Sequence, residues 1–274
     1  PPVYTISDLE HRLEKLRFVG SGGEGCIYEV KENLTSSKMA LKIASNNWRI
    51  SKDNEQVAKT VSFILKRGIS PHLTQIHGLL SVKCPVFAKL AGNSGAGFFD
   101  GQHEGGGNKT FLRRVFLMEI LQGNLQELYD TKKGLSKEVV VAFSVQILSI
   151  QLILEEQGIR HLESGKWRNI LYKTLEPEDL CQGKAMIDFD FWRYVFGKHE
   201  LFLPRQKYLI KLADYDPWIA VSKDDNLNPE KSLENCLTRE NVTLKELQDW
   251  FKKPEDPNAK VLEVYDSSKP LPEE

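Results

Sequence analysis

Cysteine is scarce in this chain. The four present, Cys26, Cys84, Cys181 and Cys236, stand far apart without C-x-x-C spacing, so they supply neither a zinc ligand set nor a dithiol redox pair. A chain of 274 residues can bury a sizeable core without disulfides, so reduced thiols in an intracellular setting, cytoplasmic or nuclear, are expected. No run of eighteen apolar residues occurs, which gives no membrane-spanning stretch. Charge of one sign is also missing. With 37 Lys and Arg against 38 Asp and Glu, no nucleic-acid or acidic-membrane partner is expected from bulk electrostatics. The hydrophobic share of 41% places the chain among globular proteins and outside the disordered classes.

Glycine, by contrast, is concentrated. Gly20, Gly22 and Gly25 fit G-x-G-x-x-G, and the β-branched Ile27 follows. A dinucleotide fold needs a helix directly after such glycines. Here Cys26 to Val30 reads as a strand, Asn33 to Ser37 as a polar turn, and Met39 to Ile43 as a second strand interrupted by Lys42. Glycine on a strand-turn-strand hairpin lets the backbone approach phosphate oxygens, and a Lys on the next strand can reach the same phosphates. The alternative is that Lys42 is an edge-strand charge facing solvent.

Elsewhere the pattern predicts a capped helix over 7–17, with Ser7 as N-cap and Glu10 as its capping-box partner. A second helix is expected over 52–66, with Glu55 in its first turn, either favouring the helix dipole or reaching Lys42. Gly68 to His72 breaks that helix, Leu73 to Leu80 reads as a strand, and His72 and His77 read as surface or strand positions. Residues 91–110, rich in Gly, Ser and Asn, read as a flexible loop. Val115 to Leu121 has a buried-strand pattern whose end would leave backbone groups free for a nucleotide base. Leu135 to Gln157 reads as a core helix, 172–207 as irregular, and Leu209 to Ala213 as a strand entering an acidic turn. A capped helix is expected over 243–252, and the tail from Lys253 reads as loosely held.

In this order the residues resemble a protein kinase from about Val19 to Asp216, with the texture of the divergent serine/threonine kinases, or pseudokinases, of large DNA viruses. The viral likeness rests on Gly68-Ile69-Ser70-Pro71-His72 and on the Phe191 to Pro204 insertion before Ile210-Lys211-Leu212-Ala213-Asp214. The resemblance implies an α+β, two-lobed protein kinase-like fold: a small antiparallel-sheet lobe over 1–122 and a reduced, mainly helical lobe over 123–274. It implies that Gly20, Gly22 and Gly25 cover the phosphates of ATP. Ile27, Ala40, Met118 and Glu119 complete the nucleotide set, and Lys42 pairs with Glu55. Asn169 and Asp214 would hold Mg2+, with Asp188 in Ile187-Asp188-Phe189 as the other candidate.

The departure lies in the substrate-side base. The position five before Asn169 is Ser164, whose hydroxyl is no base near neutral pH. Glu163 can take the role if the loop holds one extra residue, and Lys166 matches the loop lysine. Neither Ala-Pro-Glu nor the family's later helices follow Asp214. The implied function is ATP-dependent phosphoryl transfer to Ser/Thr of a protein substrate, inside a cell, which for a viral kinase is the host cell. The alternative is a pseudokinase that binds nucleotide, a partner protein, or both; a third is a small-molecule phosphotransferase of related fold.

Overall fold

The computed structural model describes all residues except 1–2, 23–24, 45–59, 62, 86–88, 91–98, 101–109, 132–134, 162–165, 214–217, 221–226 and 272–274. The chain separates into two units, Pro1–Ile50 with Gln75–Leu121, and Ser51–Thr74 with Gln122–Glu274.

The first unit is organised by period-two alternation. Strands β1 (Val3–Thr5), β2 (Leu13–Gly22), β3 (Gly25–Glu32), β4 (Lys38–Ala44), β5 (Ile76–Pro85) and β8 (Thr110–Met118) form a sheet in the order β1-β5-β8-β4-β3-β2. A separate ladder joins β6 (Lys89–Leu90) to β7 (Phe99–Asp100). Alternate residues Tyr28, Val30, Leu41, Ile43 and Val115 are fully buried, with Leu9 of helix α1 (Ile6–Arg12) in the same core. The helix expected over 7–17 stops at Arg12, because Leu13 onward pairs with β3. Its last carbonyls are met by the β3–β4 turn: Asn33 donates from its backbone to Arg12 O at 2.9 Å and from Nδ2 to His11 O at 2.7 Å.

In the second unit, helix α2, described at residues 60–61 and 63–67, ends at Gly68, whose φ of 59° is the left-handed conformation that closes a helix. After β9 (Gly123–Asn124) and α3 (Leu125–Thr131) comes α4 (Lys137–Glu156), capped by Ser136. By length and composition α4 could cross a membrane, but 67% of its apolar window is buried within the protein, as befits a core helix. Strand β10 (Ile159–His161), 3-10 turn η1 (Trp167–Asn169) and β11 (Ile170–Thr174) follow. Then come the hairpin β12 (Leu180–Cys181) and β13 (Lys184–Ala185), and 3-10 turn η2 (Met186–Asp188). The unit continues with β14 (Phe191–Phe196), β15 (His199–Pro204), β16 (Tyr208–Leu212) and β17 (Trp218–Ala220). It ends with α5 (Pro229–Arg239), α6 (Leu244–Trp250) and β18 (Val261–Asp266).

This architecture corrects the expected fold class. The protein is a mixed α/β chain of several small sheets with few helices, and no two-lobed kinase arrangement is shown. The first sheet is not purely antiparallel, since β1 runs parallel to β5. The second unit carries ten strands beside its five helices among the described residues, so it is not mainly helical. Residues 172–207, expected to be irregular, contain the β14–β15 hairpin. Trp192 and Tyr194 alternate inward there and pair with Leu203 and Leu201. The tail is held as well: β18 runs parallel to β14, burying Leu262, Val264 and Tyr265, while Arg193 bonds Glu263 at 2.6 Å. Prolines and charges at the ends of these strands hid the alternation between them.

Candidate functional site

Registers in the first unit set the glycines and Lys42 on one face. Gly20 lies opposite Ile27, Ile27 opposite Lys42, and Lys42 opposite Phe116, a single row across β2, β3, β4 and β8. Directly opposed residues project to the same side of a sheet, as do residues two apart along a strand. Gly22 pairs with Gly25, Gly25 with Ala44, and Ala40 with Met118, so Gly20, Gly22, Gly25, Ile27, Ala40, Lys42 and Met118 of the predicted nucleotide set share that face. The opposite face carries Tyr28, Leu41 and Ile43 of the core, which is why a lysine between two apolar neighbours is consistent with strand alternation.

Lys42 is 8% exposed, which excludes the solvent-facing edge reading; β4 is an interior strand. Gly20 has no atom of the protein within 4 Å of where a Cβ would stand, so packing does not demand glycine there. On the same face, Glu29 is bonded by Arg17 at 2.5 Å, which holds its carboxyl below the usual carboxylate range, with Lys38 at 3.5 Å adding to the effect. The strand end at Met118 differs from expectation. β8 is flanked by β4 and β5, and the Glu119 N–H donates to Gln75 O at 3.0 Å while its carboxylate accepts from the Gln75 N–H at 2.7 Å. The backbone donor of residue 119 is thus taken within the sheet and is not available to a base.

In the second unit, β11 and β16 pair antiparallel from Ile170↔Leu212 to Thr174↔Tyr208, and the Ala213 N–H donates to Asn169 O at 3.3 Å. Asn169 sits at the end of η1, where its N–H bonds Lys166 O at 2.8 Å, and Lys166 is exposed. On the far side, β10 pairs with β17, His161 opposite Trp218. The described residues flanking 162–165 therefore pair with those flanking 214–217. Glu163, Ser164 and Asp214 lie outside the described residues, as does Glu55. Asp188 is exposed on η2, next to the β14–β15–β18 sheet, where Ile187 O accepts from Arg205. Among the described residues no group of three His, Cys, Asp or Glu side chains gathers as a metal site. Asn169 offers an uncharged oxygen of the kind magnesium takes, beside the strand end that leads into Asp214.

Two supports of this strand end were not read from the sequence. Ser70 to Thr74 runs beside β16, with Leu212 N–H donating to His72 O at 2.8 Å and Thr74 N–H to Leu212 O at 3.1 Å. His72 is fully buried, against the surface or strand reading: its Nδ1 lies 2.9 Å from Ile210 O and its Nε2 2.8 Å from Tyr194 Oη. A carbonyl only accepts, so Nδ1 carries the proton and Nε2 accepts from the tyrosine. Burial lowers His72 to about 3, with Lys211 opposing protonation further. The second support is ionic. Buried Lys173 pairs with Asp179 at 2.9 Å, and buried Lys211 reaches Leu73 O at 3.4 Å and Asp179 at 3.8 Å. Apolar neighbours of His72, Ile69 and Leu73, were the available signal for its burial.

A scan against protein-family models and a search of curated proteins each gave no match.

Proposed function

We propose that the protein binds Mg-ATP and transfers its terminal phosphoryl group to serine or threonine side chains of a protein substrate. The observation that carries this reading is the shared face of Gly20, Gly22, Gly25 and Lys42 in the first unit. A glycine strip without side chains admits a polyphosphate close to backbone N–H groups, and the buried Lys42 supplies positive charge on the same side. Phosphoryl transfer depends mainly on positioning and on neutralising charge, so few groups are needed. Magnesium, when bound, neutralises phosphate oxygens; Asn169 and Asp214 are the residues that would hold it. Lys166, exposed on the approach to Asn169, balances charge on the phosphoryl group in transfer. Glu163 takes the proton of the attacking hydroxyl.

The second reading is a pseudokinase, favoured by Ser164 at the position where a carboxylate base is expected. Incubation with γ-labelled ATP, magnesium and a mixed protein substrate separates the two. The proposal predicts label on Ser/Thr and a loss of about 10²-fold or more in Glu163→Gln. Nucleotide binding without any transfer would establish the pseudokinase instead, and transfer unchanged in Glu163→Gln would remove that residue from the mechanism.

A further inference from the structure

Helices α4 and α5 share a cavity. Its lining residues on α4 include Ser144, Ile147, Leu148, Gln151 and Leu152, which recur at the three- and four-residue spacing of a single helical face. On α5, Ser232, Asn235, Cys236, Arg239 and Glu240 recur in the same way. The cavity has a volume of about 310 Å³, at the lower end of the range of small-molecule sites.

Two opposite charges at this cavity are unmatched. Among the described residues Arg239 forms no ion pair, and the Glu240 carboxylate accepts only from the neutral Ser144 hydroxyl, at 3.4 Å. Glu155, the other charged group of the lining, is already paired with Arg160 at 3.1 Å. The two free charges stand near one point. Burial raises the Cys236 thiol to about 11, and both charges act on the same thiol, Glu240 upward and Arg239 downward. A cation and an anion that do not bond each other therefore accompany the apolar side chains of Ile147, Leu148 and Leu152. A ligand with one charge would meet a like charge as well as an opposite one, whereas a ligand with both can set each against its opposite.

We propose that this cavity binds a free α-amino acid with a large apolar side chain, its carboxylate on Arg239, its ammonium on Glu240 and its side chain among the apolar residues of α4. The site belongs wholly to the second unit and is independent of the Mg-ATP reading.

The test removes one ligand charge at a time. The full chain without nucleotide is titrated with phenylalanine, with 2-phenylethylamine, which lacks the carboxylate, and with 3-phenylpropionate, which lacks the ammonium; binding is read by saturation-transfer NMR. Phenylalanine should bind saturably with a Kd on the order of 1 mM, as expected for a ligand of this size. Each singly charged analogue should bind about three-fold to ten-fold more weakly, and alanine, which keeps both charges without the apolar body, about ten-fold more weakly. Arg239→Gln, at an exposed position that does not threaten folding, should bind phenylalanine and 2-phenylethylamine alike. Glu240→Gln should bind phenylalanine and 3-phenylpropionate alike. No saturable binding of phenylalanine, equal binding of both analogues by the parent, or a charge preference that survives unchanged in either variant would overturn the proposal.

Discussion

His72 illustrates how one residue ties sequence, packing and pH together. Its imidazole is neutral because it is fully buried and because Nε2 must accept from Tyr194. In the unfolded chain it titrates near about 6.5, whereas in the fold burial lowers it to about 3. Between those values the unfolded state binds the extra proton, so stability rises with pH in that window and falls as pH drops below about 6.5. From pH 7 to pH 5 this one group should remove about 2 kcal/mol, read as a lower urea midpoint. His72→Gln should lose that part of the acid sensitivity, whatever its stability at pH 7. An unchanged difference between pH 7 and pH 5 in the variant would show that His72 is not the group responsible. The position was misread from sequence because Pro71 and Gly68 suggest a surface turn, and only the long-range partners Ile210 and Tyr194 reveal burial.

At the scale of elements, legibility followed locality. The capping box of α6 could be read directly, and both its bonds are present: Glu246 N–H donates to Thr243 Oγ1, and Thr243 N–H to the Glu246 carboxylate. The long apolar period of α4 was equally plain. The β14–β15 hairpin and β18 were not, since β18 finds its partner about seventy residues upstream and nothing local announces it. The stop of α2 at Gly68 lies between these cases: the glycine is visible, its reason is not. Gly68 has positive φ, and an added Cβ would stand 3.2 Å from Gly183 N and 3.3 Å from Gln182 N, both backbone atoms. Gly68→Ala should therefore lower unfolding free energy by about 1–3 kcal/mol. Thermal or urea unfolding within about 0.5 kcal/mol of the parent would contradict this account of the helix end.

For the whole molecule, what could be read was the order of motifs, and what could not was the arrangement of sheets. A glycine hairpin followed by a strand lysine is a local pattern, and registers across β2, β3 and β4 place it on one face. The parallel β1–β5 pair and the three-stranded β15–β14–β18 sheet arise from contacts between distant segments. They replace the two-lobed kinase fold that the motif order implied. The functional reading therefore rests on the glycine and lysine face, not on overall architecture. Calorimetric titration with Mg-ATP tests that face most directly, using the parent, Gly20→Ala and Lys42→Ala. The parent should bind; Gly20→Ala should keep its fold, since nothing in the protein crowds the added Cβ, yet bind more weakly. Lys42→Ala should show no binding. A parent that does not bind Mg-ATP, or a Lys42→Ala variant that binds it as tightly as the parent, would contradict the account.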